Sequence, residues 1–159
     1  MCSKIMYLLF LLSSCSFNPP SRTVTKTNAV ENVECADFLQ RWGLSHSKIK
    51  YISCVVESEN KMQPKIIATY DVIGKDAKEV ENYLNQNFKM EKLVFECCGW
   101  APQAKDKTMA PLNNLGRGTY SDAKYVNPFI VFLSSGETIE KDWRKIKFKV
   151  IVETNFTEI

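Results

Sequence analysis

The sequence is poor in the residue that most often does acid–base or metal chemistry: of 159 residues, His46 is the single histidine. It sits in the polar turn Ser45-His46-Ser47, where a solvated loop residue is expected, and the spacing supplies no orienting acid for it. Charge of one sign is also lacking, since Lys and Arg number 21 against 18 Asp and Glu. Such a balance excludes a dedicated nucleic-acid surface. No apolar run is long enough to span a bilayer, the run Ile5 to Leu12 being far shorter than the roughly 20 residues required. Cys-x2-Cys spacings are missing as well, so zinc has no recognisable ligand pattern, and neither a metal nor a cofactor is expected. At 45% hydrophobic and 25% charged residues the composition is that of one ordinary globular domain.

What is present begins with a secretory pattern over residues 1–14: Lys4, the short apolar run, then small residues. Leu12-Ser13-Ser14-Cys15 follows and resembles the bacterial lipobox, in which the cysteine receives lipid and becomes the first mature residue. That resemblance implies a protein tethered to the bacterial cell envelope through Cys15. Ser16, in place of an aspartate, points to the outer membrane with the domain facing the periplasm. Several acyl chains at about 0.8 kcal/mol per buried methylene would hold it stably. Residues 15–32, opening with Pro19-Pro20 after Phe17 and Asn18, read as a flexible linker, and residues 33–159 as a single domain.

Removing residues 1–14 takes away Cys2, and lipid would occupy Cys15, which leaves Cys35, Cys54, Cys97 and Cys98. An even number in an oxidising compartment predicts two disulfides, with three connectivities open. Leu93 to Trp100 reads as one strand, in which successive side chains alternate. Cys97 and Cys98 would then diverge and staple the strand to Cys35 and Cys54, each bond contributing about 3 to 4 kcal/mol. The functional alternative makes Cys97 or Cys98 a redox or nucleophilic thiol.

Cys35, Phe38, Leu39 and Trp42 recur at helical spacing after Asn32, a candidate N-cap, and Gly43 closes the pattern. Tyr51–Glu57 and Ile66–Val72 predict an antiparallel hairpin, with Ile52, Cys54 and Val56 on one packed side. Asp76 and Glu79 have capping-box spacing before a helix whose apolar stripe is Ala77, Val80, Leu84 and Phe88. Its polar side carries Lys78, Glu79 and Glu81. The run Phe129–Leu133 fits an interior strand, Glu137–Lys145 a short helix, and Phe148, Val150 and Val152 alternate in a last strand. The sum predicts an α+β fold, a largely antiparallel sheet of about five strands with two main helices on one face, stapled by disulfides.

Residues 101–118 form a long unpatterned loop, and loops of that length in compact domains tend to bind something. Lys105, Lys107, Met109 and Arg117, beside Trp100, are the expected partner-contact residues, with Trp100 itself packed beneath the loop. Gly116-Arg117-Gly118 lacks the following Lys-Ser/Thr and the strand-to-helix context of a phosphate loop.

Tyr70-Asp71-Val72-Ile73-Gly74-Lys75-Asp76-Ala77, Val80-Glu81-Asn82-Tyr83-Leu84, Met90, Cys97-Cys98-Gly99-Trp100, Glu137-Thr138 and Trp143 together resemble an uncharacterised bacterial domain of unknown function found in small lipoproteins. Ala101 stands where that pattern has an acidic residue. The resemblance implies an envelope location and lends no activity. The expectation is therefore a non-enzymatic, lipid-anchored periplasmic protein that binds another protein. One specific form is an immunity protein against an envelope-acting toxin; an envelope thiol-redox factor and a structural assembly component are the alternatives.

Overall fold

The computed structural model describes residues 34–57, 64–104 and 116–155. The candidate lipidation residue Cys15, the signal and the linker lie outside them, as do Asn32, Lys105, Lys107 and Met109. Strands β1 (Lys50–Glu57), β2 (Lys65–Ile73), β5 (Gly118–Tyr120), β6 (Phe129–Ser134) and β7 (Lys147–Asn155) form one sheet in the order β1-β2-β7-β6-β5. Every neighbouring pair in it is antiparallel. A separate hairpin pairs β3 (Leu93–Glu96) with β4 (Gly99–Pro102). With helices α1 (Phe38–Arg41) and α2 (Ala77–Phe88), this is the expected α+β architecture.

The strand periodicity predicts the sheet's buried face. Ile66, Ala68, Tyr70 and Val72 on β2, Phe129, Val131 and Leu133 on β6, and Phe148, Val150 and Val152 on β7 are all buried. Against them α2 lays Val80, Leu84 and Phe88, the stripe read from its 3.6-residue spacing. Burial of each such side chain stabilises by roughly 1.5 to 3 kcal/mol. The chain's last strand, β7, is central, with alternate residues Lys147 and Lys149 exposed.

Five expectations are corrected. The first helix is a single turn, capped by Asp37, whose carboxylate accepts from Gln40 N–H at 3.1 Å. Cys35 precedes that helix and is not part of its buried side. Gly43 does close it: at φ +68 it lets Gly43 N–H reach Gln40 O and Leu44 N–H reach Leu39 O, a Schellman pair. At α2 the capping box does not form, because a 3-10 turn over Gly74–Asp76 precedes the helix and Asp76 faces Lys48 Nζ at 3.8 Å instead. Glu137 to Asp142 are not helical, and only Trp143–Lys145 make a 3-10 turn, started by Asp142 accepting from Arg144 N–H.

The last correction is β1, which is not packed on one side. The pairing with β2 shifts register between Tyr51 and Ser53, leaving Ile52 in a bulge. Tyr51, not Ile52, therefore joins Cys54 and Val56 opposite Tyr70, Ala68 and Ile66. As an edge strand beyond the cover of α2, β1 leaves Ile52, Val55 and Val56 about half exposed, at 48%, 46% and 50%.

Candidate functional site

Glu96-Cys97-Cys98-Gly99 is a two-residue hairpin turn, with Glu96 paired to Gly99 across it. The strand read through Leu93–Trp100 thus breaks at the two cysteines, and the expected divergence of their side chains does not occur. Cys97 adopts φ +52, the left-handed value that tight hairpin turns need at their first central position. The turn brings the two Sγ atoms to 3.1 Å, and both residues are exposed free thiols. The double staple is corrected accordingly. Cys35 and Cys54 bond to each other, Cα atoms 5.5 Å apart, and this bond fastens the segment before α1 to the middle of β1.

The turn is held in place from several sides. Thr138 N–H donates to Cys98 O at 2.6 Å, Ser135 N–H to Trp100 O at 3.1 Å, and Trp100 N–H to Ser135 Oγ at 2.9 Å. A Cβ on Gly99 would lie 2.4 Å from Gly136 O, so the loop after β6 approaches the hairpin as closely as glycine permits. Behind the turn, Trp100 stacks on Trp143 at 5.9 Å and meets Phe95 edge-on at 5.6 Å. Lys141 Nζ lies over Phe95 and Lys78 Nζ over Trp143. The indole Nε1 of Trp100 is buried with no hydrogen-bond partner among the described residues. The Cys98 thiol is pushed above the ordinary thiol range by its hydrogen bond to Cys97, with the charges of Cys97 and Glu137 adding to the effect.

The remaining candidates are distributed over other elements. Trp100 is partly buried in its stack on Trp143, and most of the loop expected above it lies outside the described residues. Arg117 is engaged internally: its Nη1 donates to Glu153 Oε1 at 3.2 Å while the guanidinium lies 4.2 Å from the centre of the Phe132 ring. His46 is not a solvated loop residue. Its ring packs 4.6 Å from that of Tyr83, Nδ1 accepts from Lys48 N–H, and Nε2 faces Glu79 Oε1 at 3.5 Å, so it serves its own turn and α2. Among the described residues no three His, Cys, Asp or Glu side chains are grouped to hold a metal ion.

Two features escaped the sequence reading. The open apolar edge of β1 is one; alternation places Ile52 and Val56 on a packed side, yet both are about half exposed, as is Val55. The other is Glu81, placed on the polar side of α2 but 2% exposed. No helix among the described residues is long and apolar enough to cross a membrane.

No curated protein and no solved structure matches the chain. Residues 24–100, just under half of the chain and ending on Cys97-Cys98-Gly99-Trp100, match the model of a domain of unknown function (DUF4952).

Proposed function

We propose that this is a lipid-anchored protein-binding module of the bacterial envelope, held by Cys15 and accepting an extended strand of another protein along the open edge of β1. One observation carries the reading. Tyr51, Ile52, Val55 and Val56, four of the seven exposed large hydrophobic side chains among the described residues, lie on this one strand, which has no second neighbour among the described residues. Edge strands are commonly guarded by central charges, and here Lys50 and Glu57 stand only at the two ends. Main-chain pairing would give affinity and the alternating apolar side chains selectivity. A strand with an acid opposite Lys50 and a base opposite Glu57 fits best. With Arg117 committed to Glu153, β1 has the stronger case as the contact surface than the 101–118 segment.

In its narrowest form the partner is an envelope-acting toxin and the protein its immunity factor. A photo-crosslinking residue at Val55, in cells producing the full chain, should give one discrete adduct with another protein. Ile52→Lys should abolish it, and a crosslinker at Ile139, which is 93% exposed, should give none. Equal adducts at both positions, or none at Val55, would refute the reading. An adduct of the chain with itself would replace it by self-assembly. Fatty-acid labelling lost in Cys15→Ser tests the anchor separately.

A further inference from the structure

The binding reading leaves Cys97 and Cys98 unused, and their arrangement is chemically specific. We propose that the pair is a thiol–disulfide exchange site, which acts on an accessible disulfide of another molecule and cycles between the dithiol and a Cys97–Cys98 bond. This inference stands independently of the β1 surface.

Three observations carry it. The sulfurs lie 3.1 Å apart on an exposed turn, so a mixed disulfide formed on one is within immediate reach of the other. The turn is braced by Thr138 N–H on Cys98 O and by the close approach of Gly136 to Gly99, which keeps the pair together without closing it off. Cys35 and Cys54 already bond to each other, so among the described residues no other thiol competes for the pair. A tetrahedral zinc would instead want its two sulfurs about 3.8 Å apart, given Zn–S bonds near 2.3 Å.

The two sulfurs share a hydrogen bond in which either can be the donor, so the thiolate left when one proton departs is held by the S–H of the other. With Cys97 taken as the attacker, its Sγ attacks one sulfur of the substrate disulfide, that S–S bond breaks, and the other sulfur leaves as a thiolate that takes up a proton. Cys98 then loses its proton and attacks Cys97 Sγ, the mixed disulfide breaks, and the second substrate sulfur departs as a thiolate. One substrate disulfide has become two thiols and the dithiol one disulfide, a balanced two-electron exchange. Neighbouring Cα atoms lie only about 3.8 Å apart, short of the usual disulfide span. The Cys97–Cys98 bond is therefore easily reduced again, and the site turns over where an unstrained bond would stay shut.

The test uses the mature chain with Cys15→Ser, retaining the Cys35–Cys54 bond, equilibrated with mixtures of reduced and oxidised glutathione, acid-quenched, alkylated and mapped by mass. The wild-type pair should pass from two alkylated thiols to a Cys97–Cys98 bond, seen as the loss of two hydrogens from that peptide, without a lasting glutathione adduct. Cys98→Ser should accumulate a single glutathione on Cys97, and Cys97→Ser a single glutathione on Cys98. Lasting adducts on both wild-type thiols with no internal bond would overturn the proposal, as would single variants that acquire no glutathione. An intact Cys35–Cys54 bond in every sample reports that the fold has survived.

Discussion

Glu81 Oε1 accepts a hydrogen bond from the backbone N–H of Leu93 at 2.6 Å, joining the middle of α2 to the first residue of the hairpin that carries Cys97 and Cys98. The second oxygen, Oε2, takes Lys78 Nζ at 2.5 Å from the solvent side. Both oxygens of this deeply buried side chain are thereby partnered. Glu81→Ala would leave the Leu93 amide without its partner in a dry site, and the expected loss is about 1 to 3 kcal/mol. Urea unfolding should show it as a lower midpoint at unchanged slope. Glu81→Gln, which keeps an acceptor for Leu93, should lose less.

The Cys35–Cys54 bond spans 19 residues of sequence, and loop closure of that size in the unfolded chain is worth about 3 kcal/mol. It also fixes the segment before α1 to an edge strand that has little cover of its own. Cys35→Ser with Cys54→Ser should therefore lower the unfolding free energy by about that amount. The exposed cysteine pair should contribute almost nothing, so Cys97→Ser with Cys98→Ser should leave the urea midpoint unchanged. A large shift in the second double variant would place structural weight on the turn that its exposure denies.

Tyr70 ties β2 to α1, donating its hydroxyl proton to Asp37 Oδ1 at 3.0 Å and accepting from Leu39 N–H at 3.2 Å. Burial foremost, with the adjacent Asp37 carboxylate adding to it, pushes the phenol far above its ordinary value. The unfolded chain releases this proton near pH 10, whereas the folded chain keeps it to higher pH. Below that point Tyr70 adds no pH dependence; above it the folded state binds more protons, and stability falls as pH rises. Tyr70→Phe should cost about 1 to 2 kcal/mol near neutrality through the lost hydrogen bonds. It should also flatten the alkaline arm of the stability profile, followed by circular dichroism under urea as pH is raised.

Periodicity carried much of this fold. The two-residue alternation of Phe148, Val150 and Val152 and the 3.6-residue stripe of α2 each report a burial pattern that depends on one element alone, and both were legible. What was not legible depends on partners distant in sequence. Glu81 looks like any helix-surface acid until Leu93 N–H is placed over it. Ile52 matches the face of Cys54 by counting, and a bulge in the pairing with β2 transfers that role to Tyr51. At Cys97 the alternation rule assumed an extended backbone, and Gly99 two residues on was a turn signal outweighed by the apolar run before it. The reach of the disulfide reading failed with it, since two thiols on one turn cannot serve two distant partners.

Gly99 also offers the sharpest way to disturb that turn without touching sulfur. Its φ is not in the left-handed range, so the demand for glycine is one of space: a Cβ would meet Gly136 O at 2.4 Å, and that contact is backbone. Gly99→Ala should push the 135–136 segment off the hairpin, weaken the hydrogen bonds between Ser135 and Trp100, and cost about 1 to 3 kcal/mol as overpacking does. Gly136→Ala is the matched control, because nothing lies within 4 Å of its Cβ and only its φ of +69 is strained, at about 1 kcal/mol. Tryptophan fluorescence separates the two outcomes. The Trp100–Trp143 stack sits behind the turn, so Gly99→Ala should alter the native emission while Gly136→Ala lowers stability with the native spectrum kept. Identical spectra for Gly99→Ala and the parent would show that the loop yields to the methyl group and that the hairpin does not depend on its close approach.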